Sequence, residues 1–233
     1  PRNSRSKGGQ TVEIFTIRNL TFAYPEQEKY AISDLSLSVQ PGEFLVLCGP
    51  SGCGKTSVLS IIAGLLKPSG GKVTLYGGEI GKGKNSIGYM LQKDELFPWR
   101  TIEQNAYLPL EVKKIKNETE KRKVDVLLKK YGLWEFRKKY PSQLSGGMRQ
   151  RAALIRTMAS SPDLLLLDEP FSALDYQTRL AVCDDLYDII KKEKKTTLLV
   201  THDISEALST ADRIVVLSKR PSKVLNICLL YTS

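Results

Sequence analysis

The sequence predicts an α/β fold built on a mainly parallel sheet, and three stretches predict it. Gly49-Pro50-Ser51-Gly52-Cys53-Gly54-Lys55-Thr56 stands between an apolar run, Phe44 to Cys48, and a helix-like stretch from Ser57 to Leu66. Leu164-Leu165-Leu166-Leu167 is closed by Asp168-Glu169-Pro170, and Thr196 to Thr201 is closed by His202-Asp203. Short apolar strands that alternate with helices and deliver polar residues at their carboxyl ends belong to parallel sheets.

The first stretch has the pattern Gly, four free positions, Gly-Lys-Thr. Its glycines let the backbone curl so that successive N–H groups point inward, where a side chain would block a phosphate. Lys55 brings a mobile charge to outer phosphates, and the Thr56 hydroxyl is a ligand suited to Mg²⁺. Val58, Leu59, Ile61, Ile62 and Leu65 give the following helix its apolar face, and its N-terminus favours an anion.

Val12 to Leu20 is expected as a half-exposed strand, with Val12, Ile14 and Thr16 on one face. Tyr24 follows it as a candidate for stacking on a base, or as an ordinary strand-end aromatic. A second strand is expected over Leu35 to Val39, closed by the Pro41-Gly42 turn. Lys72 to Tyr76 and Ile87 to Leu91 are further strands, the latter ending at Gln92, whose amide has the chemistry to ligate a metal or orient a water.

From Phe97 to Ser160 the pattern turns helical. Val124, Leu127, Leu128 and Tyr131 fall at helical spacing, as do Ala152, Ile155 and Ala159. Between them stands Leu144-Ser145-Gly146-Gly147-Met148-Arg149-Gln150. Ser145 is a good N-cap, and Gly146-Gly147 leaves the first N–H groups uncovered, a second anion site. Asp168, at the end of four leucines, has the chemistry to hold a Mg²⁺ shell, and Glu169 to orient or deprotonate a water. Leu180, Cys183, Leu186 and Ile190 mark another helix, and strand and helix alternate to Leu217.

Composition narrows the function classes. The 233 residues contain 41% hydrophobic and 26% charged residues, which is ordinary for a globular chain, and no apolar run reaches the ~20 residues of a membrane span. The net charge is +10, and 11 Lys/Arg against 5 Asp/Glu between Glu111 and Tyr140 contribute +6 of it. No aromatic-interleaved basic motif accompanies them, so a solvated helical face is the first reading, a membrane-proximal face the second, and no nucleic acid is expected. Four cysteines lack metal-ligand spacing and are expected as reduced thiols; His202 is the single histidine, which excludes a multi-His metal site. The chain opens on Pro1, so residues 1–11 are expected as a truncated or disordered lead. Asn226 to Ser233 continues no earlier pattern and is expected as a non-native tail.

Taken together, and in this order, the motifs resemble those of the ATP-binding-cassette (ABC) ATPases over about Val12 to Val224. Gly49 to Thr56 is similar to Walker A, Gln92 to the Q-loop, and Leu144 to Gln150 to the family signature. Leu164 to Asp168 is similar to Walker B with Glu169 as its glutamate, Ser172-Ala173-Leu174-Asp175 to the D-loop, and His202 to the switch histidine. The resemblance implies a P-loop NTPase fold with a RecA-like core (12–92 and 161–225), an N-terminal antiparallel β part, and an inserted helical subdomain (about 97–160). It implies ATP held by Tyr24, by Gly49 to Thr56 and by Ser57, with Mg²⁺ at Thr56, Gln92 and Asp168. Catalytic roles fall to Glu169, His202, Gln92 and Lys55. It further implies a dimer in which Ser145, Gly146, Gly147 and Asp175 serve the partner's ATP. A transmembrane permease, a solute-binding protein behind it, and a place on the cytoplasmic face of the membrane complete the implied assembly. Leu96 to Thr101 and Asn105 to Glu111 look like the importer ATPases for nitrate, sulfonate and taurine. An ABC-type ATPase acting on nucleic acid or ribosomes, or an exporter ATPase, is the alternative.

Overall fold

In the computed structural model, residues 13–25, 29–80, 86–172, 183 and 187–230 are described. Two sheets organise them. An antiparallel sheet has the order β2-β1-β4-β5, from β1 (Phe15–Phe22), β2 (Ile32–Val39), β4 (Gly70–Leu75) and β5 (Gly78–Glu79). A second sheet has the order β10-β9-β3-β8-β7-β6, from β3 (Phe44–Cys48), β6 (Ile87–Met90), β7 (Leu164–Asp168), β8 (Thr196–Thr201), β9 (Arg213–Leu217) and β10 (Val224–Leu229). All its pairings are parallel except that of β10 with β9.

Every residue of β3, β7 and β8 is buried, because both faces of this sheet are covered. Strand alternation divides the core in two. Leu45, Leu47, Leu164, Leu166, Leu198 and Val200 pack with Val58, Leu59 and Ile62 of α1 (Lys55–Ile62) and with Phe15, Ile17 and Leu35 of the antiparallel sheet. Phe44, Val46, Leu165, Leu167 and Leu199 face the other way, towards Ile102, Ala106, Val124, Leu128, Ala152 and Ile155. Those residues belong to α2 (Ile102–Val112), α3 (Glu118–Lys130) and α4 (Gly146–Met158). α2 starts in a full capping box, Thr101 with Gln104, and α3 is capped by Asn117.

The N-terminal strand differs from its expected form. β1 buries Phe15, Ile17, Leu20 and Phe22 and leaves Thr16 half-buried, while Ile14, just before the strand, is buried as well, so the two expected faces are not cleanly separated; Val12 lies outside the described residues. After Ile17 a bulge resets the alternation: pairing with β2 shifts between Ile17 and Leu20 and again before Phe22, pairing with β4 shifts between Arg18 and Thr21, and Asn19 takes a left-handed φ of 49°. β2 likewise starts at Ile32 rather than Leu35, carried through a left-handed Asp34 (φ 56°) whose carboxylate accepts from the Asn19 amide at 2.7 Å. α1 begins two residues earlier than expected and ends at Ile62. Most of the helix expected around Leu180 to Ile190 lies outside the described residues, though 187–192 is helical. The segment set apart as a tail does continue a pattern: β10 reaches Leu229 as an edge strand of the parallel sheet.

Candidate active site

The carboxyl ends of β3, β6, β7 and β8 converge on one edge of the sheet, and the chain's reactive side chains leave from them. β3 ends at Cys48, and the loop after it turns into α1 through Gly54, whose φ of 111° only glycine adopts without strain. A Cβ at Gly49 would press on Cys53 Sγ at 3.0 Å and on Leu217 at 3.2 Å. α1 has no side-chain cap, so the N–H groups of its first turn have no intrahelical partner and are available to an anion.

Lys55 is 5% exposed. Its ammonium donates to the carbonyl oxygens of Gly49 at 2.8 Å and Pro50 at 3.2 Å, and no carboxylate forms an ion pair with it among the described residues. A buried cation held by neutral acceptors is costly unless an anion joins it. Thr56 donates to Asp168 Oδ1 at 3.2 Å, bringing the first helical turn against the end of β7. Burial pushes the Asp168 carboxyl above its usual range, against the pull of the Thr56 and Tyr89 hydroxyls. A hydroxyl and one desolvated carboxylate oxygen are hard ligands, and Mg²⁺ is commonly held by so few protein groups when substrate phosphates supply the rest. No cluster of three or more His, Cys, Asp or Glu exists among the described residues, so the donor set fits that case and not an all-protein cage.

Glu169 follows with a left-handed φ of 43°, a strained conformation for a non-glycine residue, and its N–H donates to the Val200 carbonyl at 2.9 Å. That turn swings the Glu169 carboxylate to His202, with Oε2 3.2 Å from Nδ1. Gln92 is exposed beyond β6, and its amide donates to Ser172 Oγ at 3.0 Å; Ser172 Oγ donates in turn to the Glu169 carbonyl at 3.0 Å. Gln92 is therefore tied to the turn after β7, and neither Thr56 nor Asp168 is its partner. Tyr24 bonds Ser57 Oγ at 2.7 Å through its hydroxyl, meets Phe22 edge-on, and has the Arg220 guanidinium 5.8 Å from its ring centre. Burial pushes the Cys48 thiol up to about 11, which keeps it protonated at neutral pH.

The sequence-predicted residues thus form two groups. Tyr24, Gly49 to Ser57, Gln92, Asp168, Glu169 and His202 are linked by chain or hydrogen bond around the β3–β7–β8 ends. Ser145, Gly146 and Gly147 open α4 in the helical region, where Ser145 Oγ accepts from the Met148 N–H at 3.3 Å. No hydrogen bond among the described residues joins them to the phosphate loop. Asp175 lies outside the described residues.

Sequence reasoning missed Tyr89 and Asp94, and it placed Ser172 in the D-loop-like segment without its bridging role. Tyr89 donates to Asp168 Oδ2 at 3.3 Å, and burial followed by the Asp168 charge pushes its phenol up to about 12. Ser172 bridges Gln92 to Glu169. Asp94, two residues after Gln92, accepts from Arg149 Nε at 3.0 Å, while Arg156 donates to the carbonyls of Asp94 and Glu95, each at 2.6 Å. Those bonds bind the segment after Gln92 to α4, the helix that Ser145 caps.

The family model for the ABC transporter domain matches residues 32–172, more than half of the chain. The chain belongs to the ABC transporter ATP-binding family. This ABC ATPase is 48% identical over 204 residues to an uncharacterised ABC transporter ATP-binding protein, YtlC, of Bacillus subtilis, covering 88% of this chain and 78% of that one. It is 42% identical over 209 residues to the aliphatic sulfonates import ATP-binding protein SsuB of the same organism, covering 90% and 81%. Among solved structures it resembles the ATP-binding cassette MJ0796, a dimer in a post-hydrolysis state with ADP and Pi. There the TM-score is 0.77 at 32% identity, over 94% of this chain and 100% of that one. The fold is the P-loop ABC cassette, and the activity is ATP hydrolysis. No helix among the described residues of the ABC ATPase is long and apolar enough to cross a membrane.

Proposed function

We propose that this ABC ATPase energises an importer for a small anionic or organic solute, of the nitrate, sulfonate or taurine kind, as a homodimer on the cytoplasmic face of the membrane. The observation that carries the ATPase half of this reading is the buried Lys55 ammonium, held by carbonyls and by no carboxylate among the described residues, beside the Thr56–Asp168 pair and the Glu169–His202 pair. The importer half rests on the likeness to SsuB and on the segment from Leu96 to Glu111.

In this reading the loop N–H groups and Lys55 hold the β- and γ-phosphates, and Tyr24 offers a ring to the base. Thr56 and Asp168 hold Mg²⁺, which when bound draws charge from the phosphate oxygens. Glu169 orients a water and takes its proton, and His202, whose Nδ1 lies 3.2 Å from that carboxylate here, turns to the γ-phosphate when ATP is bound. Gln92 reports the state of the site to the helical region through the segment that Arg149 and Arg156 grip. The signature segment, Ser145 to Gly147, is unlinked to its own phosphate loop and serves the partner's ATP, as Asp175 does from the D-loop. A permease docks on the helical region, with a solute-binding protein on its far side.

Shared sites are tested by complementation. A mixed dimer of one Lys55→Ala chain and one Ser145→Ala chain is expected to retain one intact site and measurable ATP turnover. Loss of both sites would mean that each chain uses its own signature. A second measurement tests the docking face. Trp99 is 70% exposed and stacks on Phe97 at 5.0 Å with an 8° tilt, an aromatic anchor of the kind that interfaces use. Trp99→Ala is expected to weaken co-purification with the permease by more than about tenfold while basal ATPase stays within about twofold. Parallel loss of both, with a lower unfolding temperature, would assign Trp99 to packing instead.

A further inference from the structure

The geometry points to Tyr89 as a positioning residue that holds the plane of the Asp168 carboxylate for a divalent cation. The inference rests on the proposed reading of Asp168 as the metal carboxylate. β6 and β7 pair in parallel with Tyr89 opposite Leu166, so Tyr89 stands on the same sheet face as Leu166 and Asp168. This is the face covered by α1. The Tyr89 ring packs with Leu164, Leu166 and the apolar side of α1, and its length carries the hydroxyl to the strand end, where it donates to Asp168 Oδ2 at 3.3 Å.

Thr56 reaches Oδ1 from the opposite side at 3.2 Å. Asp168 therefore accepts from two hydroxyls, Thr56 on Oδ1 and Tyr89 on Oδ2. An aspartate's terminal torsion has a broad energy well, so a single donor leaves its plane free to swing. Donors on both oxygens remove that freedom. Partners behind a metal ligand commonly set its affinity by orienting it. Thr56 is itself a candidate ligand, so it turns towards the metal when one binds. Tyr89 is then the donor that stays on the far oxygen, and its hydroxyl, not its ring, carries the role.

Tyr89→Phe keeps the ring and removes the donor. Mn²⁺ serves as the probe, because electron paramagnetic resonance counts the free ion in the presence of ATP and protein with no turnover required. The Mn²⁺ concentration at half-saturation is expected to rise about ten- to a hundredfold, the usual cost of removing a partner that orients a metal ligand. Affinity for a fluorescent ATP analogue in EDTA is expected to stay unchanged, since no metal is oriented there. Unchanged Mn²⁺ half-saturation in Tyr89→Phe overturns the inference, as does an equal loss of metal-free and metal-loaded affinity with a lower unfolding temperature, the signature of packing alone. Wild-type protein that gains no ATP affinity from Mn²⁺ would instead sink the metal reading of Asp168.

Discussion

Glu169→Gln is expected to bind ATP with near-normal affinity, to lose hydrolysis by about a hundredfold or more, and to accumulate as a closed dimer with ATP and Mg²⁺. The carboxylate has no part in binding if Thr56 and Asp168 hold the metal. It acts only when water attacks, and its negative charge beside the phosphates opposes closure, so the neutral amide removes both effects. The backbone argues for the same role. Glu169 is held at a φ of 43°, with its carboxylate 3.2 Å from His202. A non-glycine residue held there costs about 1–3 kcal/mol, a strain kept where a side chain must be aimed. Glu169→Gly is accordingly expected to raise the unfolding temperature while abolishing turnover. His202→Ala should slow turnover without lengthening the life of the dimer, because it removes a donor and no negative charge. Asp168→Asn should fail earlier, at Mg²⁺-dependent binding. Size-exclusion chromatography with ATP, run beside phosphate-release rates, reads all of these. A Glu169→Gln protein that stays monomeric yet hydrolyses ATP normally would remove Glu169 from the chemistry.

What could be read without the fold follows from the range of the interactions involved. β7, β8 and β9 stand where their apolar runs place them, since strands buried on both faces need only continuous Leu, Ile and Val between polar ends. The α3 stripe was equally visible: of Val124, Leu127, Leu128 and Tyr131, the first and third are buried on α3, Leu127 is half-buried, and Tyr131 is buried at the helix's C-cap. β1 defeats a simple period of two because Ile14 and Phe15 are buried side by side at its start and a bulge around the left-handed Asn19 resets the register after Ile17. β2 lost its first turn of strand to a polar Ser33-Asp34 pair that local patterning reads as loop. In the site, the phosphate loop is legible because eight consecutive residues carry its chemistry. Tyr89 is not, because its meaning comes from a strand register with Leu166 and a bond to Asp168, 79 positions away. Gln92 shows the same limit. Its place at a strand end was readable, whereas its partner Ser172, 80 positions on, was not.

Lys55→Ala is expected to weaken ATP binding by about a hundredfold or more, through two charge-assisted hydrogen bonds lost at roughly 1.5–3 kcal/mol each. The less obvious half of the prediction concerns the protein without nucleotide. Lys55 is 5% exposed, and among the described residues its ammonium is satisfied by the carbonyls of Gly49 and Pro50 alone. Two neutral acceptors offset part of the desolvation of a cation, and the remainder is a standing cost that the phosphates relieve on binding. Lys55→Met, which keeps the stem and most of the volume, is therefore expected to hold or raise the unfolding temperature of the nucleotide-free protein. The wild type should gain stability on adding ATP, and the variant should not, because a ligand stabilises only the state it binds. Thermal unfolding of both proteins, with and without a saturating ATP concentration for the wild type, separates the two halves. A Lys55→Met protein that unfolds well below the wild type without nucleotide would make Lys55 a structural cation that the loop needs to fold. One that still gains stability from ATP as the wild type does would remove Lys55 from phosphate binding.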